Sequence, residues 1–105
     1  MTKAFGYVRC SLNSQGAAAS IASQNDAIKR AAASCGVHLQ RVITDIGPAG
    51  SSQSELEHLM KAAKSGGVSV IVVEHKTRLS RSFAEVRRLE EELSAAGIKI
   101  IEAEE

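Results

Sequence analysis

Tyr7, Arg9 and Ser11 stand two residues apart in "GYVRCSLNSQ" (6–15), and Arg78 and Arg81 stand three apart in "HKTRLSRS" (75–82). In an extended chain, side chains two apart project to one face, so a phenol, a guanidinium and a hydroxyl line one side where the first segment ends. A guanidinium fork matches two oxygens of a phosphate, and its charge cannot be titrated away. Several forks around one hydroxyl suit phosphate capture. With the hydroxyl as nucleophile they suit phosphoryl transfer, which depends on positioning and on positive charge around the phosphorus. Two structural readings stand beside this one. Ser11 also fits the cap of a following helix, and Arg78 and Arg81 fit surface charges at a helix start. There a cationic pair opposes the helix dipole, which disfavours a purely structural role.

The elements that must position these groups alternate along the chain. "KAFGYVR" (3–9) reads as a strand. "ASIASQNDAIKRAAASCG" (19–36) reads as a helix with Ile21, Ile28, Ala32 and Cys35 near one face and Gly36 as its stop. "HLQRVIT" (38–44) alternates like a strand, and the Gly and Pro of "DIGPAGSS" (45–52) mark a loop. In that loop Asp45 is either a simple turn residue or a member of the site. "SELEHLMKAAK" (54–64) opens on a capping box, Ser54 to Glu57, and aligns Leu56, Leu59, Met60 and Ala63. "VSVIVVE" (68–74) is the β-branched run of a strand covered on both faces. Ser82 to Glu85 is a second capping box, opening a helix that turns Phe83, Val86, Leu89 and Leu93 inward and ends at Gly97. "IKIIEAE" (98–104) is a fourth strand. Four strands alternating with three helices predict an α/β, three-layer domain: a mostly parallel four- to five-stranded sheet with helices on both faces. The strands at 3–9 and 68–74, the more apolar ones, should be its central neighbours. In such sheets ligands bind beyond the carboxyl ends of the strands, where Arg9, Ser11, Arg78 and Arg81 all emerge.

Composition narrows the functions. A chain of 105 residues is one domain, and its 44% hydrophobic and 24% charged residues are ordinary for a globular protein. Aromatics are only 3%, so the core must be aliphatic. A formal net charge of +1 gives no global field for nucleic acid, so any anion binding must come from a local cluster. No apolar run spans a membrane and no leader peptide is visible. Cys10 and Cys35 fit no zinc spacing and read as reduced thiols of a cytoplasmic protein. His38, His58 and His75 have no ligand spacing, so no metal is expected. Arg87 and Arg88 belong with Glu90, Glu91 and Glu92 to a solvated face. A small-molecule phosphate binder of the same architecture would want a glycine-rich loop after the first strand, and "SLNSQGAAAS" has one glycine.

Together, "YVRCSLNSQ" and "TRLSRS" resemble the Tyr-x-Arg-x-Ser-x-x-x-Gln and Asp-Arg-Leu-Ser-Arg signatures of the serine recombinases, the resolvase/invertase family found in transposons and phages. Gln24 and "DIGPAGSS" fall where that family has a Gln and an Asp-x-x-x-Gly loop, and the similarity runs in order along essentially the whole chain. The resemblance implies a resolvase-like fold and a DNA strand transferase. Ser11 would attack the scissile phosphate, giving a 5′-phosphoserine link and a free 3′ hydroxyl that later attacks back. Arg9, Arg78 and Arg81 would hold the phosphate, Tyr7 and Gln15 would orient neighbours, Gln24 would brace the first helix, and Asp45 would support the site. It implies no metal or nucleotide cofactor, DNA as partner, and a homodimer or tetramer of the full-length protein.

Several positions depart from the family pattern. Thr77 stands where an Asp usually precedes the first arginine of the second motif, and Ser69 where an Asp usually precedes the central strand. Between Gly50 and Leu56 the chain reads "SSQSE", with no basic residue where the family carries a loop arginine. The chain ends at Glu105, where full-length relatives continue into a long dimerising helix and a DNA-binding region. A slowed recombinase is therefore expected, with a decayed domain that serves as an assembly module as the alternative.

Overall fold

The computed structural model describes residues 2–10, 16–46 and 54–103. The elements run β1 (Lys3–Cys10), α1 (Ala17–Cys35), β2 (His38–Ile46), α2 (Ser54–Ser65), β3 (Val70–Val73), a 3-10 turn (Lys76–Arg78), α3 (Phe83–Ala95) and β4 (Lys99–Glu102). The sheet order is β2-β1-β3-β4, and every pairing is parallel. The two most apolar strands are indeed the central pair. Parallel strands need crossover connections, and the three helices supply them: α1 and α3 join adjacent strands, while α2 carries the chain from β2 past β1 to β3.

The two-residue period of the strands sorts the core into two layers. Ala4 and Val8 of β1 and Val70 and Val72 of β3 turn to one face, where Ile28 of α1 meets them. Phe5, Tyr7, Ile71 and Val73 turn to the other, under Leu56, Leu59, Met60 and Ala63 of α2 and Val86, Leu89 and Leu93 of α3. Gly6 lets α1 lie close against β1: a Cβ there would come within 2.9 Å of Ile28 Cγ2 and 3.1 Å of Val42 Cγ2. Helix α1 stops at Gly36, whose φ of 69° is the left-handed conformation glycine adopts without penalty.

Strand β2 carries an irregularity that matters for the site. Ala4 pairs with Leu39 but Phe5 pairs with Arg41, so Gln40 is an extra residue, a bulge. Leu39 and Val42 are an odd number of residues apart, yet both pack on the α1 side. Downstream of the bulge, Arg9 is set opposite Asp45.

Three expectations need correction. Asp45 lies on β2, not in a loop, because β2 extends to Ile46. Phe83 is 77% exposed: it continues the inward stripe of α3 one turn beyond Val86, past the end of the buried layer. Cys35 is exposed at the last residue of α1, where that helix has run past its packed face, while Cys10 is buried; both are free thiols. At α3 the Ser82 hydroxyl accepts from the Glu85 backbone N–H at 3.2 Å, half of the expected capping box. The Glu85 carboxylate turns to Arg88 instead of back to the cap. The cap side chain of Ser54 lies outside the described residues. No helix among the described residues is long and apolar enough to cross a membrane.

Candidate active site at the carboxyl edge of the sheet

Arg9 sits in the next-to-last pair between β1 and β2 and is 2% exposed. Its Nη2 donates to Asp45 Oδ2 at 3.0 Å, and its Nε donates to Tyr7 Oη at 3.0 Å. Tyr7 Oη in turn donates to the same Asp45 Oδ2 at 2.7 Å. The three groups close a small ring: carboxylate, phenol, guanidinium. Two causes place them together. Tyr7 and Arg9 share a face because they are two apart on one strand, and the bulge at Gln40 turns Asp45 to that same face. A buried guanidinium is tolerated only when paired and hydrogen-bonded, and Asp45 and Tyr7 meet both conditions.

Burial, and next the bond to the Asp45 carboxylate, push the Tyr7 phenol well above its ordinary range; the nearby Arg9 charge opposes this without cancelling it. Tyr7 is therefore a neutral donor at any physiological pH. Its hydroxyl bridges the Asp45 carboxylate and the Arg9 guanidinium.

Gln24 approaches Arg9 from the opposite layer. Pairing between β1 and β3 ends at Tyr7 and Val73, and beyond it the Gln24 amide takes the place of a neighbouring strand. Its Oε1 accepts from the Arg9 backbone N–H at 3.3 Å, and its Nε2 donates to the Arg9 carbonyl at 3.0 Å. A further bond to Ser20 Oγ at 3.1 Å holds the amide on α1. Gln24 thus ties α1 to the strand end that carries Arg9.

The second motif emerges from the end of β3. Arg78, in the 3-10 turn, donates from Nη2 and Nε to one oxygen of Glu74, at 2.9 and 3.3 Å. Thr77 faces away from it, with its hydroxyl 3.3 Å from His75 Nδ1. Ser80 is buried and accepts from the Ser82 backbone N–H, which fixes the approach to α3. Arg81 is exposed, makes no ion pair among the described residues, and lines an open groove of about 630 Å³ with Lys76, Phe83, Val86 and Ile100. That groove adjoins α3 and β4 and is separate from the Arg9–Asp45 pair.

Of the residues singled out from sequence, Tyr7, Arg9 and Asp45 are brought into direct contact, and Gln24 supports them from behind. Arg78 and Arg81 leave the neighbouring strand on the same edge. Ser11 and Gln15 lie outside the described residues. Sequence reasoning missed Glu74, although a Glu four residues before an Arg was a visible signal. It placed Arg9 and Arg78 around a phosphate without naming a carboxylate partner, whereas Arg9 pairs with Asp45 and Arg78 with Glu74. Among the described residues no His, Cys, Asp or Glu cluster suits a metal ion.

Residues 4–105 match the family model described as the resolvase N-terminal domain. Among solved structures, the chain is similar to the C-terminal catalytic domain of ISC1926 TnpA, an IS607-like serine recombinase. The identity is 25% and the TM-score 0.84, over 97% of this chain and 70% of that one. A serine recombinase from Sulfolobus solfataricus is 28% identical, with a TM-score of 0.73 over 100% of this chain and 71% of the other. A resolvase family site-specific recombinase from Streptococcus pneumoniae, 24% identical, shares the fold, with a TM-score of 0.84 over 98% of this chain and 72% of that chain. No curated protein matches the sequence.

Proposed function

The chain belongs to the resolvase family of site-specific DNA recombinases, and on that premise we propose that it cleaves and rejoins DNA through Ser11. The observation that carries this reading is Arg9: a buried guanidinium, locked by Asp45 and Tyr7 and tied through its backbone to Gln24, two residues before a serine. A strand end held on both sides is what in-line phosphoryl transfer requires, since positioning supplies much of the rate.

In the proposed step, Ser11 Oγ attacks the phosphorus of a phosphodiester. The bond to the 3′ oxygen breaks, that oxygen takes a proton, and the 5′ phosphate remains esterified to Ser11. After strands exchange, the new 3′ hydroxyl attacks the phosphoserine and restores the serine. One phosphoester is traded for another, so the step calls for neither a nucleotide nor a redox partner. Arg78 and Arg81 would face the non-bridging oxygens as charge builds there. Cutting both strands at two sites calls for a serine on each strand, so DNA and further copies of the protein are the proposed partners. The stretch between Gly50 and Leu56 carries no basic residue, and one missing preorganised charge would raise the barrier by about 3 kcal/mol. The proposed enzyme is consequently slow.

The test uses DNA duplexes tiled from the region flanking the gene, nicked so that the cut strand cannot be resealed. A covalent protein–DNA adduct should form with the intact protein and vanish in Ser11→Ala. An adduct that survives Ser11→Ala, or none with any duplex, contradicts the reading.

A further inference from the structure

Glu74 has no role in the reading above, and its environment assigns one. It follows the last residue of β3, its side chain is 15% exposed, and a single oxygen of its carboxylate receives both the Nε and Nη2 of Arg78. The Arg78 side chain is 37% exposed, and its Nη1 has no partner among the described residues. One edge of the fork is therefore pinned to Glu74, while the other keeps a donor with no partner among the described residues. Arg9 is likewise anchored by a carboxylate, that of Asp45, although its side chain is buried. Thr77, the residue beside Arg78, contributes nothing to this anchoring, because its hydroxyl lies against His75.

We infer that Glu74 is the positioning residue for Arg78, fixing that guanidinium at the strand edge so that its free edge meets a DNA phosphate. The inference rests on the proposed role of Arg78 in strand cleavage. Its physical content is a trade between two effects. A carboxylate beside the fork repels DNA, so on charge alone removing it should tighten binding. The same carboxylate freezes a side chain that otherwise samples many rotamers, and loss of that alignment slows a positioned reaction.

Rate and affinity should therefore move apart. With the nicked duplex at saturation, Glu74→Gln should slow adduct formation about tenfold to a hundredfold, while affinity for the duplex stays the same or tightens. Glu74→Asp keeps the charge with a shorter reach and should fall between. Thermal unfolding midpoints of the variants report whether the fold is retained, and if Glu74→Gln unfolds, the same split is read in Glu74→Asp. Independently of activity, nitrogen NMR should show the Arg78 Nε–H protected from exchange in the parent protein and exposed in Glu74→Gln. If Arg78→Ala abolishes the adduct but Glu74→Gln reacts at the parent rate or faster, Glu74 is not a positioning residue and the proposed function stands. If Arg78→Ala leaves the adduct intact, or the parent protein forms none, the underlying reading fails and this inference with it.

Discussion

At the scale of single residues, the account rests on the buried ring of Asp45, Tyr7 and Arg9. Removing one partner of a buried ion pair strands the other, at a cost of about 3–5 kcal/mol. Asp45→Ala should lower stability by that amount in urea titrations, whereas Asp26→Ala, which breaks an exposed pair with Arg30, should change it by less than about 1 kcal/mol. Tyr7 offers a cleaner probe, because the chain has one tyrosine and no tryptophan. Its phenol is raised in the folded state, so the contribution to stability is complete below the ordinary tyrosine value of about 10. That contribution is lost as pH rises beyond it, where the unfolded chain ionises first. The tyrosinate absorbance should stay low past that point and then appear together with loss of the circular dichroism of the fold. A simple titration near the ordinary value, with the fold intact, would show that Tyr7 is not held as described.

The elements explain why these residues meet, and they also show what the sequence could and could not disclose. Strands β1 and β3 were readable from apolar runs, and the inward stripes of α2 and most of α3 from helical spacing. Their ends were not, because the last residues of an element are decided by its neighbours. Ile46 stays in β2 because β1 continues beside it to Cys10, and Phe83 lies outside because the packed layer ends beneath it. The bulge at Gln40 left only a faint trace, the polar pair Gln40–Arg41 interrupting the alternation of β2, and without it the pairing of Arg9 with Asp45 could not be read. Gly6 was a strand residue like any other until α1 was seen to press against it. Glycine in a strand is ordinarily a weakness that alanine repairs. Here the added methyl would meet Ile28, which is fully buried and cannot move aside. Gly6→Ala should therefore destabilise by about 1–3 kcal/mol, visible as a lowered thermal midpoint. An unchanged or raised midpoint would mean that α1 does not pack so closely on β1.

For the molecule as a whole, charge sets the terms on which it can use DNA. The net charge is +1, and Arg9 and Arg78 are already matched by Asp45 and Glu74. Few phosphates can then be neutralised, and affinity gained by counterion release scales with their number. These 105 residues alone should bind duplex DNA no more tightly than the micromolar range at physiological salt, about the level of non-specific contacts. Tight binding, or a steep salt dependence, would point to a basic surface other than the one described. On the proposed reading the site works by alignment more than by attraction, in keeping with the carboxylates paired to Arg9 and Arg78.

The central claim is that the strand end carrying Arg9 presents Ser11 to a phosphodiester. It is tested most directly by finding where the DNA is attached. The covalent adduct formed on a nicked duplex is digested with nuclease and protease, and the peptide that retains a nucleotide phosphate is sequenced by mass spectrometry. The account predicts the phosphate on Ser11, within the peptide that follows Arg9, and its disappearance in Ser11→Ala and Arg9→Ala proteins that still fold. A phosphate on Ser14, Ser80, Ser82 or any other residue would contradict it.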